Sequence, residues 1–316
     1  MNIVLTRRLP GDLTPLAAAF DKITILEGDS PLESAQGRSD FLAADVAICT
    51  VSEKIGPQLL GEKLRCLITY SVGVDHIDLA AAKHRGIRLC HTPDALTEAT
   101  ADLTWALILA SSREVVAGER LVRTGGFRGW RPEMLLGKAV FGSTLGILGM
   151  GRIGRAVAAR AIGFSMPIIY FSRRRADASL EKSLSLEWVE WEVLLERADI
   201  LSLHCPLTDA THHIVGETEL SRMKPDALLV NTTRGPVIDE AALVAHLAKH
   251  PHFRAALDVF EREPELTPGL LECRNALCLP HLGSADRPTR ERMTGICVSQ
   301  AIAFANGAPL GYELKG

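Results

Sequence analysis

Short, continuously apolar runs alternate along the first hundred residues with stretches whose apolar positions recur at helical spacing. NIVLT, KITIL, DVAICT, LRCLITY and IRLCH read as buried parallel strands. Between them LTPLAAAF, IGPQLLG and IDLAAAKHRG read as helices, often stopped by Gly. This alternation predicts a parallel sheet with helices on both faces. A long helix is expected from about Thr97 to Glu119, with Thr97 as N-cap and Glu98 and Asp102 near the positive end of its dipole. Leu103, Ala106, Leu107 and Ala110 form its expected apolar stripe. The Gly-, Pro- and Trp-bearing stretch RTGGFRGWRPEMLLGK then breaks the pattern. A second α/β unit follows, from STLGILGMGRIG through IIYFS, ADILSLHC, ALLVNTT, FRAALDVF and NALCLPH.

The last helix, PTRERMTGICVSQAIAFANG, places Met293, Ile296, Cys297, Ala301 and Phe304 on one face, with no strand after it. It is expected to pack back on the N-terminal sheet. That gives a discontinuous outer domain, residues 1–98 plus 286–316, around an inserted domain, residues 99–285.

Composition narrows the class. Of 316 residues 47% are hydrophobic, ample for two cores, and a net charge of -3 gives no electrostatic case for nucleic acid or an anionic membrane. No apolar run reaches the roughly 18–20 residues of a membrane span. The N-terminus MNIVLTRRLPGD goes straight into a strand-like run, so a cytoplasmic protein is expected. Seven scattered cysteines without a CxxC pair support neither a disulfide framework nor a cysteine-rich zinc site. His204, Cys205, His212 and His213 lie close in sequence, but no repeated ligand pair follows, and no metal is expected there.

Gly149-Met150-Gly151-Arg152-Ile153-Gly154 is GxGxxG between the strand LGILG and the helix RIGRAVAARA. In that context the first Gly permits a tight turn, the second lets a pyrophosphate approach the backbone, and the third lets the helix lie close on the strand. The next strand ends in Ser172-Arg173-Arg174-Arg175, where an NAD site presents an acid to the ribose 2′-hydroxyl. The run also suits a solvated loop face. With no acid to repel a 2′-phosphate, and Ser and Arg able to bond one, NADP(H) is favoured and NAD(H) remains possible.

Three later segments, NTTRGPVID, DVFEREP and LPHLGSA, each close a strand-like run, which puts Arg234, Glu263 and His281 where open α/β sheets bind ligands. With SVGVDHIDL, LTEATADLTWALILA, GMGRIG and CPLTDAT they give the chain, over essentially its whole length, the motif order of the D-isomer-specific 2-hydroxyacid dehydrogenases, which it resembles. The resemblance implies a flavodoxin-like outer substrate domain and an inserted Rossmann cofactor domain, both doubly wound parallel-sheet α/β. It makes Arg234, Glu263 and His281 the catalytic triad. Val72 and Gly73 would offer backbone groups to the substrate carboxylate, with Ser284 also at the substrate. Pro206 would lie on the adenosine side, Thr232 and Asp258 by the nicotinamide, and His281 and Gly283 also near the cofactor.

Within the family the chain is most similar to the glyoxylate/hydroxypyruvate reductases, on SRRR and on GWRP around Trp130. Phe127 stands where Trp is frequent, and Asp286 where Thr is frequent. The implied reaction is NAD(P)H-dependent reduction of a small 2-keto acid with His281 as general acid. An NAD-linked D-2-hydroxyacid or D-3-phosphoglycerate dehydrogenase is the alternative, and a dinucleotide-sensing corepressor-like module a second. The resemblance also implies a homodimer, the excursion Thr124–Gly137 bringing Trp130 to the neighbouring subunit's substrate.

Overall fold

The computed structural model describes residues 1–314, and the chain forms two compact units, Met1–Leu96 with Ser284–Gly316, and Thr97–Gly283. In the first, β1 (Asn2–Leu5), β2 (Lys22–Ile25), β3 (Val46–Cys49), β4 (Cys66–Thr69) and β5 (Arg88–Cys90) make an all-parallel sheet ordered β2-β1-β3-β4-β5. This is the flavodoxin-like order. Because side chains alternate across each strand, Val4, Ala47 and Cys49 enter one core while Ile3, Leu5, Val46 and Ile48 enter the other. The helix Arg287–Ala305 closes the second of these through Cys297, Val298 and Ala301. Asp286 is its N-cap, accepting the Thr289 N–H at 2.7 Å, which accounts for an acid in a place where Thr would serve equally.

The second unit carries β6 (Leu145–Leu148), β7 (Ile168–Phe171), β8 (Leu186–Trp188), β9 (Ile200–Leu203), β10 (Leu228–Asn231), β11 (Arg254–Leu257) and β12 (Ala276–Cys278). All are parallel, in the order β12-β11-β10-β9-β6-β7-β8. It is the Rossmann order with one strand added. Among the described residues no helix is long and apolar enough to cross a membrane.

Four local expectations change. LTPLAAAF forms only a 3-10 turn, Thr14–Ala18, and IGPQLLG is a run of turns in which Ile55 bridges to Ile77. A helix at Ala35–Leu42, N-capped by Ser34, and the short strand β8 were not anticipated. The long helix starts at Thr97 itself and ends at Ser112, and a second helix covers Val115–Arg123. Between them Glu114 is left-handed (φ 53°) and ion-paired to Arg254, whose guanidinium also takes the Ser111 carbonyl at 3.1 Å. The Ser112 carbonyl is taken by the Lys138 N–H at 2.8 Å, so the helix end is satisfied from outside the helix. The inward face is also shifted. Of the expected stripe Leu107 is buried, Leu103 and Ala110 are half-buried and Ala106 is exposed, and Thr100, Ala101, Thr104, Trp105 and Ile108 are buried beside Leu107. Glu98 and Asp102 meet Arg160 from the helix Arg152–Ala161 at 2.7 and 2.8 Å.

Candidate active site

The carboxyl ends of the strands of the second unit carry the candidate cofactor and catalytic residues. After β6 the chain turns at Gly149 (φ 96°), where a Cβ would lie 2.6 Å from the His204 carbonyl oxygen. Only glycine fits that combination of conformation and space. Gly151 begins the helix Arg152–Ala161 and faces open space, and a Cβ on Gly154 would collide with the Gly149 carbonyl. A helix N-terminus whose first turn no side chain covers is the cradle a pyrophosphate requires, so the residues fit a dinucleotide. Ile153 packs partly into the core beneath.

After β7, Ser172 is half-buried and its carbonyl accepts the Trp188 indole N–H at 3.5 Å. The three arginines beyond it differ. Arg175 is forked onto Glu181 at 2.8 and 2.9 Å, and Glu181 also accepts the Tyr170 hydroxyl at 2.6 Å. Arg173 and Arg174 are exposed and, among the described residues, make no hydrogen bond or ion pair.

After β9, His204 is half-buried and bonded through Nε2 to Ser202 at 2.8 Å, and desolvation of the ring pushes its pKa down to about 3. It is a neutral part of the fold. Cys205 is a buried thiol pushed up to about 11 by burial. Pro206 accepts the Thr211 hydroxyl at 2.6 Å, His213 turns its Nε2 to Glu261 at 3.2 Å, and the rings of His212 and His213 pack 4.0 Å apart.

The ends of β10, β11 and β12 bring the three candidate catalytic residues together. Asn231 accepts the Thr233 N–H and hydroxyl at 3.0 and 2.8 Å and donates to the Arg234 carbonyl at 2.9 Å. That Asx turn shapes the loop holding Arg234. Gly235 lies against the Phe260–Glu261 peptide, where a Cβ would collide, so the Arg234 loop is pressed onto the turn that carries Glu263. Glu263 Oε1 accepts the Phe260 N–H at 3.0 Å and Oε2 lies 2.9 Å from His281 Nδ1. Burial favours protonation of Glu263, but the bond and charge of His281, the Phe260 N–H and the charge of Arg234 outweigh it, and the pKa falls below the usual carboxylate value. An ionised Glu263 can only accept, so Nδ1 of His281 donates and Nε2 is left for a ligand. His281 sits in the left-handed region (φ 57°), held there by bonds from its N–H to the Asp258 and Leu279 carbonyls at 2.8 and 3.1 Å.

Asp258 is buried and its carboxylate is occupied by the N–H groups of Leu282 and Gly283 at 2.7 and 2.8 Å. Burial raises its pKa against those bonds. Glu240, also buried, accepts the Glu261 N–H and the Thr267 hydroxyl at 2.8 and 2.6 Å, and Glu261 returns a bond to the Glu240 N–H at 3.2 Å. The pair ties the Glu263 turn to the helix Glu240–Lys249. Sequence reasoning missed Asn231, Glu240 and Glu261. Asn before Thr-Thr is a turn signature that could have marked the first; the other two carry no local signal.

In the first unit, Ser71 donates to the Gly73 carbonyl at 2.6 Å and the Val72 carbonyl lies 3.1 Å from His91 Nδ1. Ser284 is half-buried just before the helix Arg287–Ala305. Trp130, in the second unit, stands 78% exposed with no ring contact among the described residues. Exposed apolar side chains near it in sequence extend beyond the Thr124–Gly137 excursion. Val122, Leu136 and Phe141 are 63%, 71% and 72% exposed, alongside Val115, Val116 and Phe127.

Residues 105–283 match the model of the D-isomer specific 2-hydroxyacid dehydrogenase, NAD binding domain. The chain is 46% identical over 314 residues to a glyoxylate reductase of Aeropyrum pernix, covering 97% of this chain and 93% of that protein. It is 40% identical over 310 residues to glyoxylate/hydroxypyruvate reductase B of Erwinia tasmaniensis, covering 97% and 96%. Among solved structures, the TT0316 protein from Thermus thermophilus superposes with a TM-score of 0.89 at 40% identity, covering all of both chains.

Proposed function

The chain belongs to the D-isomer specific 2-hydroxyacid dehydrogenases, and we propose that within this family it reduces small 2-keto acids of the glyoxylate and hydroxypyruvate kind, with NADPH preferred to NADH. The observation that carries the proposal is the His281–Glu263 pair, 2.9 Å apart, within the field of Arg234. A bound reduced nicotinamide supplies the hydride. Arg234 grips the substrate carboxylate with a planar fork, which a lysine could not reproduce, and polarises the ketone. His281 delivers the Nε2 proton to the oxygen that becomes an alkoxide. Glu263, ionised and hydrogen-bonded to Nδ1, fixes the ring and its orientation. Val72 and Gly73, whose carbonyls engage His91 and Ser71, are proposed to offer backbone N–H donors to a carboxylate. Ser284 is proposed as a further substrate contact.

The glycine loop, Arg152, Ile153, Pro206, Thr232, Asp258 and Gly283 form the cofactor site. The preference for NADPH is supported by Arg173 and Arg174, which lie beside Ser172 with no carboxylate partner, whereas Arg175 is held by Glu181. The exposed apolar surface at Val115–Phe141 supports a homodimer in which Trp130 reaches the partner's substrate, because a patch of that kind is costly to leave in water. Seven free thiols suit the reducing cytoplasm.

Initial rates with NADPH and NADH across glyoxylate, hydroxypyruvate, pyruvate and phosphohydroxypyruvate test the proposal. Highest kcat/KM for glyoxylate or hydroxypyruvate with NADPH is expected. A maximum with phosphohydroxypyruvate and NADH would replace it with the phosphoglycerate reading.

A further inference from the structure

The helix Thr97–Ser112 presents hydroxyls where its buried face is otherwise apolar. Thr100 and Thr104, one turn apart, are 4% and 0% exposed and share that face with Ala101, Trp105 and Ile108. A buried hydroxyl costs free energy unless it is bonded, and valine would fill the same space without that cost. Both hydroxyls are bonded, and to the loops that build the site. Thr100 Oγ1 donates to the Gly283 carbonyl at 3.0 Å, two residues past His281. Thr104 Oγ1 lies 2.8 Å from the Thr100 carbonyl and 3.0 Å from Thr232 Oγ1, two residues before Arg234.

The directions of these bonds follow from proton count. A hydroxyl has one hydrogen and a carbonyl can only accept, so Thr104 must donate to the Thr100 carbonyl. It therefore accepts from Thr232, and the single hydrogen of Thr232 is committed to the protein interior. What Thr232 retains for a ligand is lone pairs alone. We infer that Thr104 is a positioning residue that keeps Thr232 an acceptor, selecting an N–H donor of the ligand: the carboxamide NH2 of the nicotinamide. The inference rests on the reading of Thr232 as a nicotinamide neighbour. With Thr104→Val the Thr232 hydroxyl is released and can donate to the carboxamide oxygen as readily as it accepts from the nitrogen. The site then loses its power to tell one edge of the amide from the other. The back-bond from Thr104 to Thr100 is common in helices and by itself structural; the link to a second loop is what turns it toward the ligand.

The experiment is equilibrium binding, without substrate, of NADP+ and its 3-acetylpyridine analogue, in which a methyl replaces the amide nitrogen and the carbonyl is kept. Wild type should prefer the carboxamide by about fivefold, the size of one neutral hydrogen bond. Thr104→Val should bring the two affinities to within about twofold, and Thr104→Ser should restore the wild-type ratio. Thr104→Ala carries the same expectation should the valine variant not fold. A ratio unchanged in Thr104→Val, or lost equally in Thr104→Ser, overturns the inference while leaving the dinucleotide site intact. Wild type that binds neither dinucleotide overturns the functional reading and this inference with it.

Discussion

Two regions of the second unit meet solvent in opposite ways. At the ends of β10, β11 and β12 nearly every polar group has a partner inside the chain. Asn231 shapes the Arg234 loop, Asp258 holds the backbone after His281, and Glu263 fixes the imidazole. Along Val115–Phe141 the chain instead displays Val122, Trp130, Leu136 and Phe141, each more than 60% exposed. The first region is braced by bonds made within one chain. The second is the surface that the proposed homodimer would cover. The arginine loop lies between these extremes, with Arg175 anchored on Glu181 and its two neighbours exposed.

The comparison breaks most readily at Arg234. Removing a charged, two-pronged anchor from a braced site should lower kcat/KM for glyoxylate on the order of a thousandfold in Arg234→Ala, with KM raised strongly and NADPH affinity retained. An unchanged KM would place the carboxylate elsewhere. For the arginine loop, neutralising Arg173 and Arg174 together should weaken NADPH on the order of tenfold to a hundredfold, leave NADH nearly untouched, and have less effect at high salt. Equal losses for the two cofactors would make the loop a solvated face. The smallest effect is expected at the bare surface, where Trp130→Ala should raise KM for the keto acid about fivefold with little change for NADPH. Deleting residues 124–137 should yield monomers. Wild type that sediments as a monomer at micromolar concentration would break the contrast between the two regions.

Legibility in the sequence follows the same division. Strands buried on both faces are continuous apolar runs, so β1, β3, β4, β6, β9 and β10 stand out, and with them the loops at their ends. The Gly149–Gly154 motif was legible because the sterics that demand glycine act within a strand, a turn and a helix adjacent in sequence. What escaped depends on distant partners. The helix from Thr97 stops at Ser112 because Arg254, far along the chain, ties to Glu114 and the Ser111 carbonyl. IGPQLLG has helical spacing but Gly56-Pro57 at its start, and the Ile55 bridge to Ile77 claims the backbone first. On the Thr97–Ser112 helix apolar periodicity marks Leu107 but does not register buried hydroxyls such as Thr100 and Thr104, so the inward face is only partly legible.

The proposed reduction of a 2-keto acid depends on His281 as the proton donor. Its most direct test is the single-turnover rate of NADPH oxidation by glyoxylate in His281→Ala, with NADPH affinity measured on the same preparation. The rate should fall roughly 10²–10⁴-fold while NADPH binds as in wild type. Near-wild-type turnover in a variant that still binds NADPH would contradict the assignment of His281 and the mechanism built on it.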